Sequence, residues 1–278
     1  MTLTTGGSVR DMRQDLYEDL YIKEQDYWWH VGKRAIVYGL LERFRPFLPV
    51  THGTGNPRRG ALALDLGCGA GLNLDHLSKY AQPVGTDFSE EALRFCQARG
   101  HRMLCKADAT ELPFPDRSFD IITALDVIEH VDSDHDALME LRRVMRPGGL
   151  LIISVPAYPL LWSYWDDILG HRRRYTVRTL RRAVGRADLR VLKLSYSNAL
   201  ILLPTILVRL FKGLLTRASA MRGKGKDPET DFMPVPGWLN AMLIAYYRWE
   251  ARLLRRNHLP FGLSVVCVAQ RPQEDAHA

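Results

Sequence analysis

Asp65, Gly67, Gly69 and Gly71 alternate along Asp65-Leu66-Gly67-Cys68-Gly69-Ala70-Gly71, within and just after the apolar run Leu62, Leu64, Leu66. Glycine lacks a Cβ, so such a loop can bend sharply and bring bare backbone amides against a ligand. The pattern fits a small-molecule pocket at the end of a strand; a tight strand–helix turn with no ligand is the plain alternative. A dinucleotide fingerprint, G-x-G-x-x-G, would need a third glycine where Leu72 stands. A phosphate loop would need Lys and Ser or Thr after its last glycine, and Leu72-Asn73 is not that pair. Asp87 closes a second short strand 22 residues after Asp65. That is about the interval at which an acid meets a ribose in a βαβ unit, and a carboxylate can accept from both ribose hydroxyls.

A second set of reactive side chains lies further on. Asp126, Glu129 and His130 end a fourth strand, and Tyr158, Trp162, Tyr164, Trp165, Asp166, Asp167, His171, Arg172, Arg173, Arg174 and Tyr175 fill the loop after a fifth. Asp166 and His171 are five apart, close enough for one compact turn to join them as an oriented general base. The alternative is a structural Asp–His–Arg network. His130 reads either as a base or as a histidine that holds its own loop. Near the N-terminus, Tyr21 and Tyr27-Trp28-Trp29-His30 precede Arg34 and Tyr38, which share one helix face or else simply pack in the core.

Alternating apolar strands and helical patterns from 62 to 156 position these groups. They imply a parallel sheet with helices on both faces. Ala107-Asp108-Ala109-Thr110-Glu111-Leu112-Pro113-Phe114 lies between the second and fourth strands, and Arg146-Pro147-Gly148-Gly149 turns into a fifth, 150–155. Leu189–Leu194 and Leu263–Ala269 read as sixth and seventh strands. Val37, Leu40, Leu41 and Phe44 space a core-facing helix. Residues 51–60 read as a linker, and 199–215 and 237–256 as helices around a polar loop.

Together these segments resemble the class I S-adenosylmethionine-dependent methyltransferases. Acid-x-G-x-G-x-G is similar to their first motif, and Asp108 onward to their D-A-x-x-L-P-F segment; the matches cover residues 60–156, about a third of the chain. The resemblance implies a Rossmann-like α/β fold: a seven-stranded methyltransferase sheet with an antiparallel β7 and helices on both faces. The chain divides into an N-terminal helical cap (1–50), a cofactor domain (60–198 plus 262–272) and, where the family usually has a β6–β7 hairpin, an inserted stretch (199–261) that reads as a helical lid. The resemblance assigns S-adenosylmethionine, giving S-adenosylhomocysteine, to Asp65, Gly67, Cys68, Gly69, Gly71, Asp87, Phe88, Asp108, Ala109, Leu125, Trp29 and Arg34. Asp87 would bind the ribose, Phe88 pack on adenine, and Asp108 accept from the adenine amino group. The Trp pair, Gly170–Thr176 and Leu259–Ser264 resemble a bacterial subgroup that includes indole and natural-product methyltransferases. That subgroup usually has Phe where this chain has His30.

Methyl transfer from an activated donor needs alignment, a dry site and sometimes a base. Tyr38, Asp166, His171 and His130 are the candidates for catalysis. Trp28, Tyr21, Trp162, Trp165 and Tyr175 are those for binding a flat acceptor, because aromatic walls suit aromatic ligands. The expected acceptor is a small molecule, with an electron-rich indole, C-methylated, fitting best. A lipid-linked or glycan acceptor at a membrane surface is one alternative, and a non-catalytic regulator that binds S-adenosylmethionine is another.

Bulk composition narrows the field. The chain has 278 residues, 46% of them apolar, and a net charge of +7. Cys68, Cys96, Cys105 and Cys267 form no C-x-x-C pair, so neither a zinc site nor a disulfide framework is expected, no residue is assigned to a metal, and a cytoplasmic setting is expected. No apolar segment follows a basic start, as a signal peptide would require. Fifteen Lys or Arg stand against Asp188 alone between Arg172 and Lys226, a solvated face or a surface for acidic lipid, nucleic acid or phosphorylated substrate. The absence of Asn/Asp-Pro-Pro-Tyr/Phe and Pro-Cys runs weighs against nucleic-acid methylation. Peripheral membrane contact and a homodimer stay open.

Overall fold

The computed structural model describes residue 18 and residues 21–48, 60–207 and 235–273. Seven strands form one sheet in the order β3-β2-β1-β4-β5-β7-β6. β1 (Leu62–Leu66) pairs in parallel with β2 (Gln82–Asp87) and β4 (Phe119–Leu125), and β2 with β3 (Leu104–Lys106). β4 is parallel to β5 (Met145–Pro156). β7 (Ser264–Gln270) runs antiparallel between β5 and β6 (Arg190–Ser197). The antiparallel β7 is as expected. β5 starts at Met145, so Arg146–Gly149 lie within the strand; the register shift between Phe119 and Ile121 absorbs them.

The central strands are apolar along their whole length because helices cover both faces. On one face, α1 (Trp28–Phe44) and α7 (Gly237–Leu254) bury Leu40, Leu41, Tyr247 and Leu254 against Ile121, Leu150, Ile152 and Val266. A Cβ on Gly32 would sit 2.5 Å from the Tyr247 ring, so glycine there lets the two helices touch. The lid assigned to 199–261 is therefore partly core: α7 helps close the sheet. A helical stretch over 199–207 follows β6. The rest of the helix expected to 215, and the polar loop, lie outside the described residues, as does the 51–59 linker.

On the other face, α4 (Asp134–Val144) and α6 (Val177–Arg186) bury Leu138, Leu141, Leu180 and Val184. Ser133 caps α4 by accepting from Asp136 N, and Thr176 caps α6 by accepting from Thr179 N. The short helices α2 (Leu72–Leu77) and α3 (Glu90–Ala98) flank β2, and α5 (Tyr164–Ile168) follows β5. Among the described residues no helix is long and apolar enough to cross a membrane.

Candidate active site

The C-terminal ends of β1, β4, β5 and β6 share one sheet edge, where ligands of open α/β sheets bind. Backbone at positive φ collects there: Gly67, Gly69 and Gly71 after β1, Asp126 after β4, Tyr158 after β5 and Asn198 after β6. Such conformations cost non-glycine residues free energy and cluster at functional sites. A Cβ at Gly67 would lie 2.4 Å from Val127 Cγ2, and one at Gly71 2.9 Å from Cys96 Sγ. The loop therefore needs its glycines, and it forms a cradle of bare backbone.

Polar groups hold that cradle. Asp87 accepts from Gly69 N at 3.0 Å and Ser89 N at 2.9 Å. An ionised carboxylate accepts at about four sites, which suits Asp87 to ribose hydroxyls. Asp65 is buried and its Oδ1 accepts from Asn73 Nδ2 and Thr123 Oγ1, both at 2.7 Å. Burial raises its carboxyl to about 7, against those hydrogen bonds. Cys68 is buried and donates its backbone N–H to Thr86 O. Phe88 is 41% exposed, with Lys106 Nζ 6.0 Å from its ring centroid. Asp108 is exposed in the turn after β3 and accepts from Thr110 N; Ala109 packs on the core below it. An aromatic face and a carboxylate thus stand at the β2 and β3 ends, as an adenine would require.

A clasp that the sequence reading missed covers the loop. Arg99 donates to Ala70 O, Tyr21 O and the Glu24 carboxylate, and lies 4.2 Å from the Tyr21 ring centroid. Tyr21 also packs on Phe95 and so sits on the cofactor side, apart from the acceptor role expected for it. Arg34 faces this group, its charge lowering the Glu24 pKa that burial raises to about 7. Tyr38 is buried against His76 and Tyr80, and its hydroxyl donates to Asn73 O at 2.9 Å. Its place is therefore in the Asn73–Asp65 network under the loop, where burial raises its pKa well above the ordinary value.

The acceptor end is built around β4. Leu125 is half-buried at its last position. Asp126 follows and accepts from Ser154 Oγ and from Lys33 Nζ of α1. Burial would raise the Asp126 carboxyl, but the Lys33 charge holds it below the usual range. Glu129 is fully buried, and neither carboxylate oxygen has a hydrogen-bond partner among the described residues. Burial and the Asp126 charge push it well above its ordinary value, against the charges of Lys33 and Arg174. The His130 and His171 rings meet edge to face, centroids 4.7 Å apart. Burial and the His171 charge lower His130 to about 4, while a hydrogen bond to the Leu169 backbone works the other way.

His171 Nδ1 lies 2.8 Å from Asp166 Oδ1, so the turn does bring the two together. Asp166 also accepts from Arg174 Nε at 2.6 Å, from Arg174 Nη2 at 3.0 Å, and from Ser163 N and Oγ. Burial would raise this carboxyl, but His171 and Arg174 hold it well below the usual range. Five donors occupy Asp166, and one of its oxygens holds the His171 ring. Lys33 is a functional candidate that the sequence pattern did not mark, and Glu129, visible at the end of the fourth strand, carried no assigned role there.

Several aromatic candidates have other work. Trp28 packs its ring on Tyr247, and its backbone N–H donates to Asn240 Oδ1 of α7. Tyr175, expected to line the acceptor site, is instead buried in the core with its hydroxyl donating to Asp134. Trp162 bonds Asp167 and is 40% exposed, and Trp165 is half-buried on α5. Trp29 stands edge-on to Trp28 with Lys33 Nζ 5.4 Å from its ring centroid. A cavity of about 260 Å³ lies elsewhere, among Asp134, Arg173, Tyr175, Arg182 and Arg186.

This strand order, glycine cradle and acid pair define a Rossmann-like methyltransferase fold. Residues 64–153, about a third of the chain, match the methyltransferase domain family. It is 30% identical over 137 residues to a protein described as a probable S-adenosylmethionine-dependent methyltransferase of Mycolicibacterium smegmatis, covering 49% of this chain and 48% of that one. It is 38% identical over 112 residues to demethylmenaquinone methyltransferase of Staphylococcus aureus, covering 37% and 46%. The chain thus spans less than half the length of these curated relatives. Its fold is similar to that of a SAM-dependent methyltransferase from Archaeoglobus fulgidus, with a TM-score of 0.52, 19% identity, and coverage of 91% and 99%.

Proposed function

We propose that the protein transfers a methyl group from S-adenosylmethionine to a small-molecule acceptor. The observation that carries this reading is the placement of two sites along one sheet edge. The glycine cradle and Asp87 lie at β1 and β2; Asp126, Glu129, His130 and His171 lie next to them at β4 and the β5 loop. S-adenosylmethionine, when bound, supplies the activated methyl. Asp87 and Phe88 hold its nucleoside, and the loop brings backbone amides to it. His171, fixed by Asp166, and His130 orient the acceptor and take up a proton where the acceptor has one to lose.

An electron-rich aromatic such as an indole fits this end best. Tyr27, Trp28 and Trp29 form a tilted aromatic group at the start of α1. Lys33 joins that group to the polar end of β4. Calorimetry with S-adenosylhomocysteine and transfer of labelled methyl to a small-molecule extract test the reading. We expect one bound equivalent and label in an aromatic product. Absence of S-adenosylhomocysteine binding at millimolar concentration would overturn it; binding without any transfer would favour a regulatory protein.

A membrane-surface acceptor is the second reading. Leu200, Leu203, Leu207, Trp238 and Met242 are all more than half exposed on the two helices between β6 and β7. Co-sedimentation with anionic vesicles at low salt separates it, since an aromatic acceptor in solution predicts no binding.

A further inference from the structure

We infer that Glu129, His130 and His171 bind a divalent transition-metal ion of the zinc type beside the methyl-transfer centre. Their ligand atoms lie within 4.8 Å of one another. Ligand atoms on a four-coordinate zinc stand about 3.3 Å apart, given bonds of roughly 2.0–2.1 Å. Small side-chain rotations close that difference.

Three observations point to a cation there. The Glu129 carboxylate is fully buried with no hydrogen-bond partner for either oxygen among the described residues. A buried carboxylate in this state is costly unless it is protonated or a cation reaches it. Next, the neighbouring cations are committed elsewhere: Lys33 pairs with Asp126, and Arg174 with Asp166. Finally, both imidazoles are already oriented by an acceptor on one side. Asp166 Oδ1 holds His171 Nδ1, and the Leu169 backbone holds the His130 ring. Each therefore has one nitrogen left to donate a lone pair. Carboxylate–histidine–metal chains are built this way, the outer acceptor fixing both tautomer and ring direction.

Two histidines and one carboxylate leave coordination positions open. An acceptor carrying a hydroxyl or carbonyl oxygen could occupy one and be polarised and aimed at the donor methyl. The inference deepens the methyltransferase reading, and only its consequence for the acceptor rests on that reading; metal binding stands or falls separately.

The test uses the full chain, stripped of metal by chelator and free of any affinity tag. Zn²⁺ is titrated by calorimetry, and Co²⁺ by its visible absorption, with S-adenosylhomocysteine affinity measured on the same preparation. We expect one equivalent at micromolar affinity or tighter and a Co²⁺ spectrum of nitrogen–oxygen ligation. Glu129→Gln keeps the size of a neutral carboxyl, so its fold should persist by circular dichroism. It and His171→Ala should each bind at least about tenfold more weakly. S-adenosylhomocysteine binding should stay unchanged in Glu129→Gln. The inference is overturned if the wild-type chain binds no Zn²⁺ at micromolar concentration, or if its binding survives Glu129→Gln unchanged. A wild-type chain that binds S-adenosylhomocysteine but no metal would sink this proposal and leave the methyltransferase reading standing.

Discussion

Lys33 of α1 donates its ammonium to the carboxylate of Asp126, the left-handed residue that ends β4. One ion pair thus ties the N-terminal helix to the turn carrying Glu129 and His130. Both side chains are partly shielded, 18% and 32% exposed, so the pair is stronger than a surface bridge and weaker than a dry one. Lys33→Met should lower stability by about 1–2 kcal/mol. Asp126 itself also carries backbone strain. Asn tolerates the left-handed region, whereas Ala does so less readily. Asp126→Ala should therefore be less stable than Asp126→Asn by about 1 kcal/mol. Urea unfolding of the three variants checks this; equal midpoints for Asp126→Asn and Asp126→Ala would show that the φ of 56° is not a constraint.

Gly67 meets a double restriction, from its φ of +68° and from Val127. Gly67→Ala should cost about 2–4 kcal/mol, combining left-handed strain with overpacking. Adding Val127→Ala removes the methyl in the way but leaves φ unchanged. The double variant should recover part of the loss, and S-adenosylhomocysteine affinity should recover with it. If Val127→Ala rescues nothing, the contact with Val127 does not shape the loop.

Asp87 separates the cradle from its ligand. Its carboxylate fixes the loop through Gly69 N and Ser89 N, and is offered to the ribose. Asp87→Ala should weaken S-adenosylhomocysteine binding about 10–100-fold, the worth of charge-assisted hydrogen bonds. Thermal stability should change far less, because Asp87 is only half-buried at the end of β2. A variant with unchanged affinity would remove Asp87 from the cofactor site.

The parts of this molecule that are local in sequence were legible. Glycine spacing marks the cradle because only a missing Cβ allows the approach to Val127 and Cys96. Strand patterns from Leu62 to Pro156 gave the sheet, since parallel strands covered on both faces read as apolar runs. Asp166 and His171 sit in one turn, so their spacing predicted contact. What stayed hidden depends on distant partners. Arg174 on Asp166 belongs to the Asp–His–Arg network that the sequence offered as one alternative, whereas the two further donors from Ser163 had no mark in the spacing. Tyr175 looks like an aromatic wall until α4 brings Asp134 to its hydroxyl. Lys33 lies 93 residues from Asp126, with no local mark beyond a helix position. Glu129 stood next to His130 in plain view; its burial, which gives it meaning, comes from the β5 loop folding over it.

Buried acids under the cradle predict how stability follows pH. Burial raises Asp65 to about 7, and burial likewise raises Glu24 to about 7 against the charge of Arg99. Unfolded carboxyls titrate near 4. Between these values the folded chain holds protons that the unfolded chain has lost. Stability from these groups is therefore fully present below about pH 4 and is lost as pH rises through about 7. Each group contributes up to about 1.4 kcal/mol per pH unit within that window. Asp65→Asn mimics the protonated form, because Oδ1 receives both hydrogen bonds, from Asn73 and Thr123. Urea midpoints of the ligand-free protein at intervals from pH 4.5 to 8 should fall more steeply for wild type than for Asp65→Asn; parallel curves would mean that Asp65 titrates normally in the folded chain.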